Sequence, residues 1–242
     1  MKKYVLVTAS SRGLGLEIAK LLSYAGYSII LTSRNKKNLK HAKTLLNPKL
    51  KHKIIKIDFS TDEIEKKLIQ KIKNKKLDSI VHNFGENIQN DTHPIDTDIL
   101  NSSIYNNFTV SVKINNLLAK NLIGNPSKII HIGSTASLHA KASPSYTLSK
   151  SLINTYVKNI ANIYIKDNIM ICAVLPGIMA HEHSQWDRKK ITDKKRYDET
   201  EKQQPLGRFL LPKDVAGYVV DLVNQKSLSF SGSVMKLDAN DY

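Results

Sequence analysis

The residues best suited to chemistry are a tyrosine and a lysine four positions apart. Tyr146 and Lys150 stand in the segment Tyr-Thr-Leu-Ser-Lys, and this spacing places two side chains on one face of a helix. An ammonium group beside a phenol lowers the phenol pKa from its usual value of about 10. A phenol activated in this way can pass a proton to or from a substrate oxygen near neutral pH.

A serine precedes this pair at the end of a predicted strand. The apolar run Ile129–Ile132 is followed by Gly133 and Ser134, twelve positions before Tyr146. A hydroxyl group at this place can hydrogen-bond the same substrate oxygen and hold a carbonyl group in position. Tyrosine and lysine at this spacing are common in helices, so the prediction depends on the serine and on the location of the pair after the fifth predicted strand.

A second candidate site follows the first predicted strand. The turn reads Thr8-Ala9-Ser10-Ser11-Arg12-Gly13-Leu14-Gly15 and leads into a segment with helical spacing of apolar residues. Glycines at the entrance of a helix let the backbone approach a pyrophosphate, which the N-terminal amides attract. Turns also use glycine for other reasons, so this turn alone is weak evidence of a dinucleotide site.

The end of the second predicted strand indicates which dinucleotide is preferred. Residues 31–35 contain no carboxylate, whereas a protein that prefers NAD usually carries one there to bind the ribose hydroxyls. Arg34 is placed to meet a 2′-phosphate, and Arg12 in the turn supplies a second positive charge. We therefore predict NADP(H) as the cofactor; the alternative is that both arginines are solvated surface groups.

The hydrophobic pattern provides the elements that must position these residues. Strand-like apolar runs alternate with segments of helical periodicity. The predicted strands are residues 4–7, 28–31, 53–57, 79–81, 129–132, 169–175 and about 233–237, and the predicted helices are 14–22, 36–46, 64–72, 98–122, 145–166 and 213–224. Residues 177–204 are predicted to be irregular and charged. We predict an α/β fold, a Rossmann-like doubly wound parallel sheet of about seven strands with helices on both faces.

These motifs, in this order, resemble the short-chain dehydrogenase/reductase family, and in particular its single-domain 3-oxoacyl-carrier-protein reductases. The resemblance covers about residues 4–238. It includes the glycine-rich turn, His82-Asn83-Phe84-Gly85 after the fourth strand, Asn107 in the long helix, the Ser134, Tyr146 and Lys150 set, and Pro176-Gly177 after the sixth strand.

The resemblance implies hydride transfer between a nicotinamide and a substrate carbon. Tyr146 would be the acid or base, and Ser134 would polarise the carbonyl. Lys150 would hold the ribose and lower the pKa of Tyr146, while Asn107 would support a water that links Lys150 to solvent. Asp58 would contact the adenine, and residues 177–211 would form the substrate loop. The cofactor-binding residues implied are Thr8, Ser10, Ser11, Arg12, Gly13, Leu14, Gly15, Arg34, Asp58, Phe59, Asn83, Gly85, Tyr146, Lys150, Pro176, Gly177 and Ile178.

Several positions depart from the family pattern. Ala9 replaces the first glycine, so that its methyl group would crowd the turn, and the bulky Phe84 would narrow the cofactor groove. The usual threonine a few residues after Pro176-Gly177 is missing from a segment that ends at His181. His181 and His183 lack an evident third ligand, so we predict no metal and expect substrate contact or a surface position. Trp186 is either an aromatic group of the substrate loop or its hydrophobic anchor.

Composition limits the other classes of function. The net charge of +16 comes almost entirely from lysine, since only five of the 37 basic residues are arginine. No nucleic-acid-binding module or aromatic interleaving is present, so we predict a lysine-rich solvated surface and no nucleic-acid partner. No apolar run is long enough to span a membrane. The single cysteine, Cys172, fits a reducing compartment, and we predict one soluble cytoplasmic domain over residues 1–242.

The leading hypothesis is therefore an NADP(H)-dependent oxidoreductase that interconverts a carbonyl and an alcohol. Its substrate would be a small molecule or an acyl thioester, with a 3-oxoacyl thioester, a sugar derivative and a small ketone all open. The resemblance implies a homodimer or homotetramer. The alternative is a non-catalytic NADP(H)-binding or sensor protein of the same fold, suggested by the altered first glycine and by Asp238-Ala239-Asn240 near the end of the chain.

Overall fold

Seven parallel strands form one sheet in the order β3-β2-β1-β4-β5-β6-β7. The structure is a computed structural model, which describes residues 4–61, 64–72, 75–88, 91–139, 142–182 and 184–240. The strands are β1 (Tyr4–Val7), β2 (Ser28–Ser33), β3 (Lys53–Lys56), β4 (Leu77–His82), β5 (Ser127–Ile132), β6 (Ile169–Pro176) and β7 (Val234–Leu237). All eight residues of β6 are buried, as expected of a parallel strand covered on both faces.

The helices cover both faces of this sheet. They are α1 (Gly13–Tyr24), α2 (Lys36–Thr44), α3 (Ile64–Ile72), α4 (Thr97–Ile104), α5 (Val110–Leu118), α6 (Ala136–His139), α7 (Pro144–Tyr164), α8 (Gln185–Thr192), α9 (Lys194–Lys202) and α10 (Pro212–Asn224). Buried side chains of α1, α2 and α10 share one core cluster, and those of α3, α5 and α7 form two clusters on the other face. The predicted doubly wound α/β fold is thus confirmed.

The strand order reverses between β1 and β4, which are neighbours in the sheet. Connections from these two strands leave toward opposite sides, so a crevice opens at their carboxyl ends. The glycine-rich turn follows β1, and residues 83–88 follow β4. The fold therefore brings the two predicted cofactor segments to one place.

The long helix predicted over residues 98–122 is present, with an irregularity that the sequence did not indicate. α4 continues through a π-helical turn, Tyr105–Thr109, into α5, and a 3₁₀ turn, Ala119–Asn121, ends the helix. Single π turns inside α-helices are often found at functional sites. Asn107 lies in the middle of this turn and is buried.

The prediction of an irregular segment over residues 177–204 is wrong, because α8 and α9 lie within it. Both helices are rich in lysine and poor in apolar residues, which hid their periodicity. Side-chain caps start them instead. Ser184 Oγ accepts a hydrogen bond from the Asp187 amide at 3.0 Å, and an Asp193 carboxylate oxygen accepts one from the Arg196 amide at 3.2 Å.

A helix that crosses a membrane would have to be both long and apolar, and none in the described part of the chain meets both conditions.

Two histidines from adjacent strands are stacked in the core behind the site. His82 of β4 and His131 of β5 pair across the sheet, and their ring centroids are 4.6 Å apart. His82 Nε2 lies 2.7 Å from Asn115 Oδ1, and Asn115 Nδ2 donates to the Tyr156 hydroxyl at 3.2 Å. Burial lowers the pKa of His82 to about 4 and that of His131 well below its usual value. Both rings are therefore neutral in the folded protein at neutral pH.

The buried pair predicts that the protein loses stability in mild acid. In the unfolded chain a histidine has a pKa of about 6.5, so the unfolded state binds a proton that folded His82 does not accept until about pH 4. Stability is full above pH ~6.5 and falls by on the order of 3 kcal/mol as the pH approaches 4. His82→Asn, which keeps a donor for Asn115, should make the urea-unfolding free energy less dependent on pH.

The exposed His41 of α2 offers a matched control. His41→Asn should leave the slope of unfolding free energy against pH unchanged. Equal slopes for wild type and His82→Asn would contradict the assignment of the acid sensitivity to this pair.

Candidate active site

Three of the four predicted catalytic side chains meet at the carboxyl end of β5. Ser134 follows β5, and Tyr146 and Lys150 lie in the first two turns of α7. The Ser134 hydroxyl lies close enough to the Tyr146 phenol to oppose the rise in its pKa, and Lys150 Nζ is 5.7 Å from the centroid of the Tyr146 ring. Ser134 and Tyr146 are both half-buried in the folded chain.

The Lys150 ammonium is the most buried member of this group. The residue is 4% exposed, and Nζ donates a hydrogen bond to the Ile132 carbonyl at 3.2 Å. Burial disfavours the charged form and lowers the pKa of Lys150 to about 8. Lys150 therefore changes charge close to neutral pH instead of remaining a fixed cation.

The expected lowering of the Tyr146 pKa by Lys150 is not found. Burial raises the pKa of Tyr146, and only the hydrogen bond to Ser134 opposes this change. The physical reason is that the same desolvation disfavours both a phenolate and an ammonium. Lys150 in addition donates to the Ile132 carbonyl. The phenol is thus a protonated acid in this state of the site.

Asn107 lies next to Lys150, but its side-chain amide forms hydrogen bonds with the chain that follows β4. Asn107 Oδ1 accepts from the Glu86 amide at 3.0 Å, and Nδ2 donates to the Glu86 carbonyl at 2.8 Å. A Cβ atom on Gly85 would lie 2.7 Å from Asn107 Oδ1 and 2.9 Å from Lys150 Nζ. Glycine is therefore required at this position for Asn107 and Lys150 to approach the loop. The water-supporting role of Asn107 stays a prediction.

The glycine-rich turn is fixed to the chain after β4. Thr8 Oγ1 accepts hydrogen bonds from the Asn83 amide at 2.8 Å and the Phe84 amide at 2.9 Å. Asn83 Nδ2 donates to the Ala9 carbonyl at 3.2 Å. A Cβ atom on Gly15 would lie 2.5 Å from this same carbonyl. Only glycine at position 15 allows α1 to start so close to the turn.

The start of α1 has the properties of an anion site. Leu14 and Gly15 are buried in its first turn, Arg12 is exposed, and within the described residues no side chain caps this end. The N-terminal amides and the positive end of the helix dipole are then available to a phosphate group. His181, at the end of the segment where a threonine was expected, packs over Gly13, where an added Cβ would meet its ring at 2.7 Å.

The two serines of the turn have structural partners. The buried Ser10 hydroxyl donates to the Val7 carbonyl at 2.8 Å and accepts from the Thr32 amide at 3.1 Å. Ser11 Oγ donates to Ser33 Oγ at 3.0 Å. The Ser10 side chain therefore stabilises the turn from its buried side, and the Ser11 side chain connects the turn to the end of β2.

The residues predicted to surround the adenosine half differ in accessibility. Arg34 is exposed immediately after β2. Asp58 has its pKa lowered, chiefly by hydrogen bonds from Ser60, and Arg34 contributes to this effect. Phe59, by contrast, is buried and packs on Phe84 with ring centroids 5.0 Å apart. The Phe59 side chain thus belongs to the core, and the bulk of Phe84 is accommodated by this contact.

The chain after β6 closes the site from the other side. Pro176 accepts a hydrogen bond from the Thr135 amide at 3.0 Å, and Ile178 accepts one from the Leu210 amide at 2.9 Å. A Cβ on Gly177 would lie 2.7 Å from Asp238 Cβ, so glycine is needed there as well.

The segment that carries α8 and α9 has its own aromatic cluster. Trp186 packs on Phe209 at 4.8 Å between ring centroids, and Tyr197 packs on Phe209 at 5.0 Å. Trp186 is therefore a hydrophobic anchor of this segment. Of the histidines considered as metal ligands, His183 lies outside the described residues. The described part of the chain contains no group of three or more side chains suited to hold a metal ion.

Sequence reasoning missed Asp91, whose carboxylate touches the start of α7. It accepts hydrogen bonds from the Ser145 amide at 2.8 Å, the Ser145 hydroxyl at 2.8 Å and the Tyr146 amide at 3.2 Å. Asp91 is 54 positions from Ser145 in the chain and belongs to no recognisable motif. No signal in a single sequence could have found this contact.

Comparisons with known proteins agree with this geometry. The family model described as enoyl-(acyl carrier protein) reductase matches residues 8–239. Dehydrogenase/reductase SDR family member 4 of Caenorhabditis elegans is 28% identical over 245 residues, which cover 96% of this chain and 92% of the relative. The rhamnolipids biosynthesis 3-oxoacyl-[acyl-carrier-protein] reductase of Pseudomonas aeruginosa is 23% identical over 98% of this chain and 94% of its own length.

Among solved structures, L-sorbose reductase from Gluconobacter frateurii, complexed with NADPH and L-sorbose, has the same fold. It superposes with a TM-score of 0.88 at 22% identity and covers 99% of this chain and 96% of its own. The doubly wound sheet with a serine, tyrosine and lysine at one strand end defines a class of Rossmann-like oxidoreductases. The family match over residues 8–239 shows that this chain belongs to the short-chain dehydrogenase/reductase family, which confirms the resemblance seen in the sequence.

The altered first glycine predicts a stabilising substitution. Ala9 has a φ of 50°, a left-handed conformation that costs an L-residue about 1–2 kcal/mol. Ala9→Gly removes this strain. It also adds conformational entropy to the unfolded chain, which cancels about 0.5–1 kcal/mol of the gain in stability. We expect a net gain of about 0.5 kcal/mol in the free energy of unfolding, measured by urea titration.

The control is Ala19→Gly in the interior of α1, where the backbone is helical. This substitution should destabilise the protein by about 2 kcal/mol, since the loss of a fully buried methyl group adds to the helix-propensity cost. A loss of similar size for Ala9→Gly would show that the turn does not strain Ala9.

Proposed function

We propose that this oxidoreductase interconverts a carbonyl and an alcohol by hydride transfer with NADP(H), as one domain whose residues 177–211 cover the substrate. The observation that carries the proposal is the grouping of Ser134 and Tyr146, two half-buried residues, beside the buried Lys150 at the carboxyl end of β5. Two neighbouring hydroxyl groups are suited to hold and protonate a carbonyl oxygen.

Each side chain has a distinct task in this proposal. Tyr146, which burial keeps protonated, donates its proton to the substrate oxygen in reduction and accepts one in the reverse direction. Ser134 donates a hydrogen bond to the same oxygen and fixes its position. Lys150, with a pKa of about 8, returns a proton toward the phenol and binds the ribose. Bound NADP(H) supplies or accepts the hydride.

The residues of the crevice fit a dinucleotide. The first turn of α1 carries amides that no side chain caps in the described structure and that suit a phosphate, and Gly15 lets this turn start close to the Ala9 carbonyl. Thr8 and Asn83 hold the turn, Gly85 leaves room for Lys150, and we assign Asp58 to the adenine. Arg12 and Arg34 are exposed on the side where no carboxylate follows β2, which supports NADP(H) over NAD(H). The NADPH complex of the related sorbose reductase adds support.

The relatives and the net charge indicate which substrate classes to test. One relative acts on a 3-oxoacyl group on an acyl carrier protein, and one is complexed with L-sorbose. A 3-oxoacyl thioester, a sugar derivative and a small ketone are the substrates to test first. The net charge of +16 favours an acidic or anionic carrier through electrostatic steering.

Assembly and location are part of the same proposal. α7 exposes Leu148 and Leu152 one turn apart, with Ile163 further along, and an apolar helix face of this kind is suited to pack against a second copy of the chain. We propose a homodimer or homotetramer.

The only cysteine, Cys172, is buried, and its pKa is raised to about 12. The protein therefore does not need an oxidising compartment to form an internal disulfide. A cytoplasmic location is proposed.

Removal of the phenol tests the mechanism. Tyr146→Phe should reduce the rate of NADPH oxidation with a carbonyl substrate by at least about 100-fold, because the general acid is lost. The Kd for NADPH, measured by fluorescence titration, should stay within about twofold. The exposed Tyr24 provides a control, and Tyr24→Phe should leave both quantities unchanged. Tight NADPH binding without turnover on a broad carbonyl panel would favour a non-catalytic sensor.

The choice of dinucleotide is tested at Arg34. Arg34→Ser should weaken NADPH binding about tenfold, since it removes a charge-assisted contact to the 2′-phosphate, and should leave NADH binding nearly unchanged. Arg196→Ser, at another exposed arginine, is the control for loss of net charge. Equal weakening by both variants would attribute the effect to overall charge and contradict a specific role for Arg34.

A further inference from the structure

The first turn of α7 holds the phenol of Tyr146, and its main-chain amides need partners. The first four amides of an α-helix have no acceptor within the helix. Pro144 has no amide hydrogen, and the Thr147 amide bonds to the Ser143 carbonyl at 3.0 Å. The amides of Ser145 and Tyr146 are left, and both require an acceptor from elsewhere.

Asp91 accepts hydrogen bonds from both of these amides. One carboxylate oxygen accepts from the Ser145 amide at 2.8 Å and from the Tyr146 amide at 3.2 Å, and the other accepts from the Ser145 hydroxyl at 2.8 Å. Asp91 is 8% exposed. Ser143, the residue that would normally cap the helix, donates its hydroxyl hydrogen to Asn87 instead and makes no side-chain cap within the described structure.

The other capped helices use a neighbouring residue. Asp96 caps α4 through the amides of Asp98 and Ile99, two and three positions away, and Asn35 caps α2 through the Asn38 amide. In α7 the cap comes from a position 54 residues away. The start of the helix that carries Tyr146 is therefore held by the loop between β4 and α4.

The same loop also holds Asn107. Glu86 exchanges two hydrogen bonds with the Asn107 side chain, and Asn87 accepts from Ser143 just before α7. One loop thus contacts both the π turn and the start of α7. A displacement of its far end at Asp91 would move Tyr146 relative to Asn107.

We propose that Asp91 is a positioning residue for Tyr146, which acts by fixing the first turn of α7 so that the phenol stays within reach of Ser134. The inference rests on the proposed function, because it gives the phenol a catalytic task. Helix ends fray most in their first turn, and a misplacement of about 1 Å can cost about 100-fold in rate. Burial alone would raise the pKa of Asp91, but hydrogen bonds from Ser145 and the Tyr146 amide oppose this effect, and the pKa lies below its usual value.

The experiment compares Asp91→Ala, Asp91→Asn and Asp91→Glu in the full chain. Asparagine can keep the geometry, since its oxygen accepts from the two amides while its amide group donates to the Ser145 hydroxyl. Glutamate keeps the charge but moves the acceptor oxygens by one methylene group. We expect Asp91→Ala to lower kcat 10- to 100-fold and Asp91→Glu at least fivefold, with Asp91→Asn within threefold of wild type. KM and the Kd for NADPH should stay within about twofold in all three.

Hydrogen–deuterium exchange supplies a readout that does not depend on turnover. Asp91→Ala should raise exchange about tenfold in residues 144–150. The matched control Asp96→Ala should raise exchange at the start of α4 without changing kcat. This comparison separates the loss of a helix cap as such from the loss of the cap that holds Tyr146.

Several results would overturn the proposal. Unchanged exchange in residues 144–150 would show that Asp91 does not stabilise the start of α7. Raised exchange with unchanged kcat would show that this stabilisation has no effect on catalysis. A fall in kcat for Asp91→Asn with a normal value for Asp91→Glu would show that charge is required and position is not. This Asn–Glu comparison decides the matter if Asp91→Ala does not fold. Absence of turnover in the wild type would refute the proposed function, and exchange alone would then decide whether Asp91 holds the helix.

Discussion

One hydroxyl group joins the two halves of the sheet where its strand order reverses. Thr8 follows β1, and its Oγ1 accepts hydrogen bonds from two successive amides that follow β4. The Asn83 side chain returns two hydrogen bonds to the Thr8 and Ala9 carbonyls. The chain leaves β1 and β4 toward opposite sides of the sheet, so the loops that follow these two strands would otherwise lie apart. The glycine-rich turn and the loop after β4 are instead fixed as one unit, on which the rest of the crevice is built.

From this unit the contacts continue to the side chains that we propose as catalytic. The loop after β4 binds Asn107 through Glu86, and Asn107 in turn donates to Ser103. The Ser103 hydroxyl lies 3.1 Å from the Ser149 hydroxyl in α7, between Tyr146 and Lys150 in the chain. The helix that carries Tyr146 and Lys150 is therefore held along its first two turns by polar contacts from the long helix and the loop. Polar networks of this kind fix a unique geometry when their members are satisfied.

Local spacing explains which parts of the molecule the sequence could predict. Tyr146 and Lys150 were found because helical periodicity alone brings them together, and the strand pattern gave the sheet because a parallel sheet needs continuous apolar runs. Asn107 was reached only through family resemblance. The Phe59–Phe84 contact and the cap from Asp91 join residues far apart in the chain. The direction of the Tyr146 pKa shift was missed since burial, which a sequence does not report, outweighs the nearby lysine.

The charged segment after β6 illustrates a second limit. α8 and α9 have little amphipathic pattern, and their ends are set by single side-chain oxygens of Ser184 and Asp193. Their tertiary anchor is the packing of Trp186 and Tyr197 on Phe209. A search for apolar periodicity does not detect helices that are held by two caps and one aromatic cluster.

The π turn at residues 105–109 changes the rotational phase of the long helix. Each residue of an α-helix advances by about 100° around the axis, and a π turn takes up one extra residue. Ser103 upstream of the turn faces α7, and Asn107 within the turn faces the loop after β4. Downstream of the turn, Val110, Ile114 and Leu118 point into the core. If the same residues formed a regular α-helix with no π turn, its two halves would be turned by about 100° from their present relation. Such a helix could serve the site or the core, but not both.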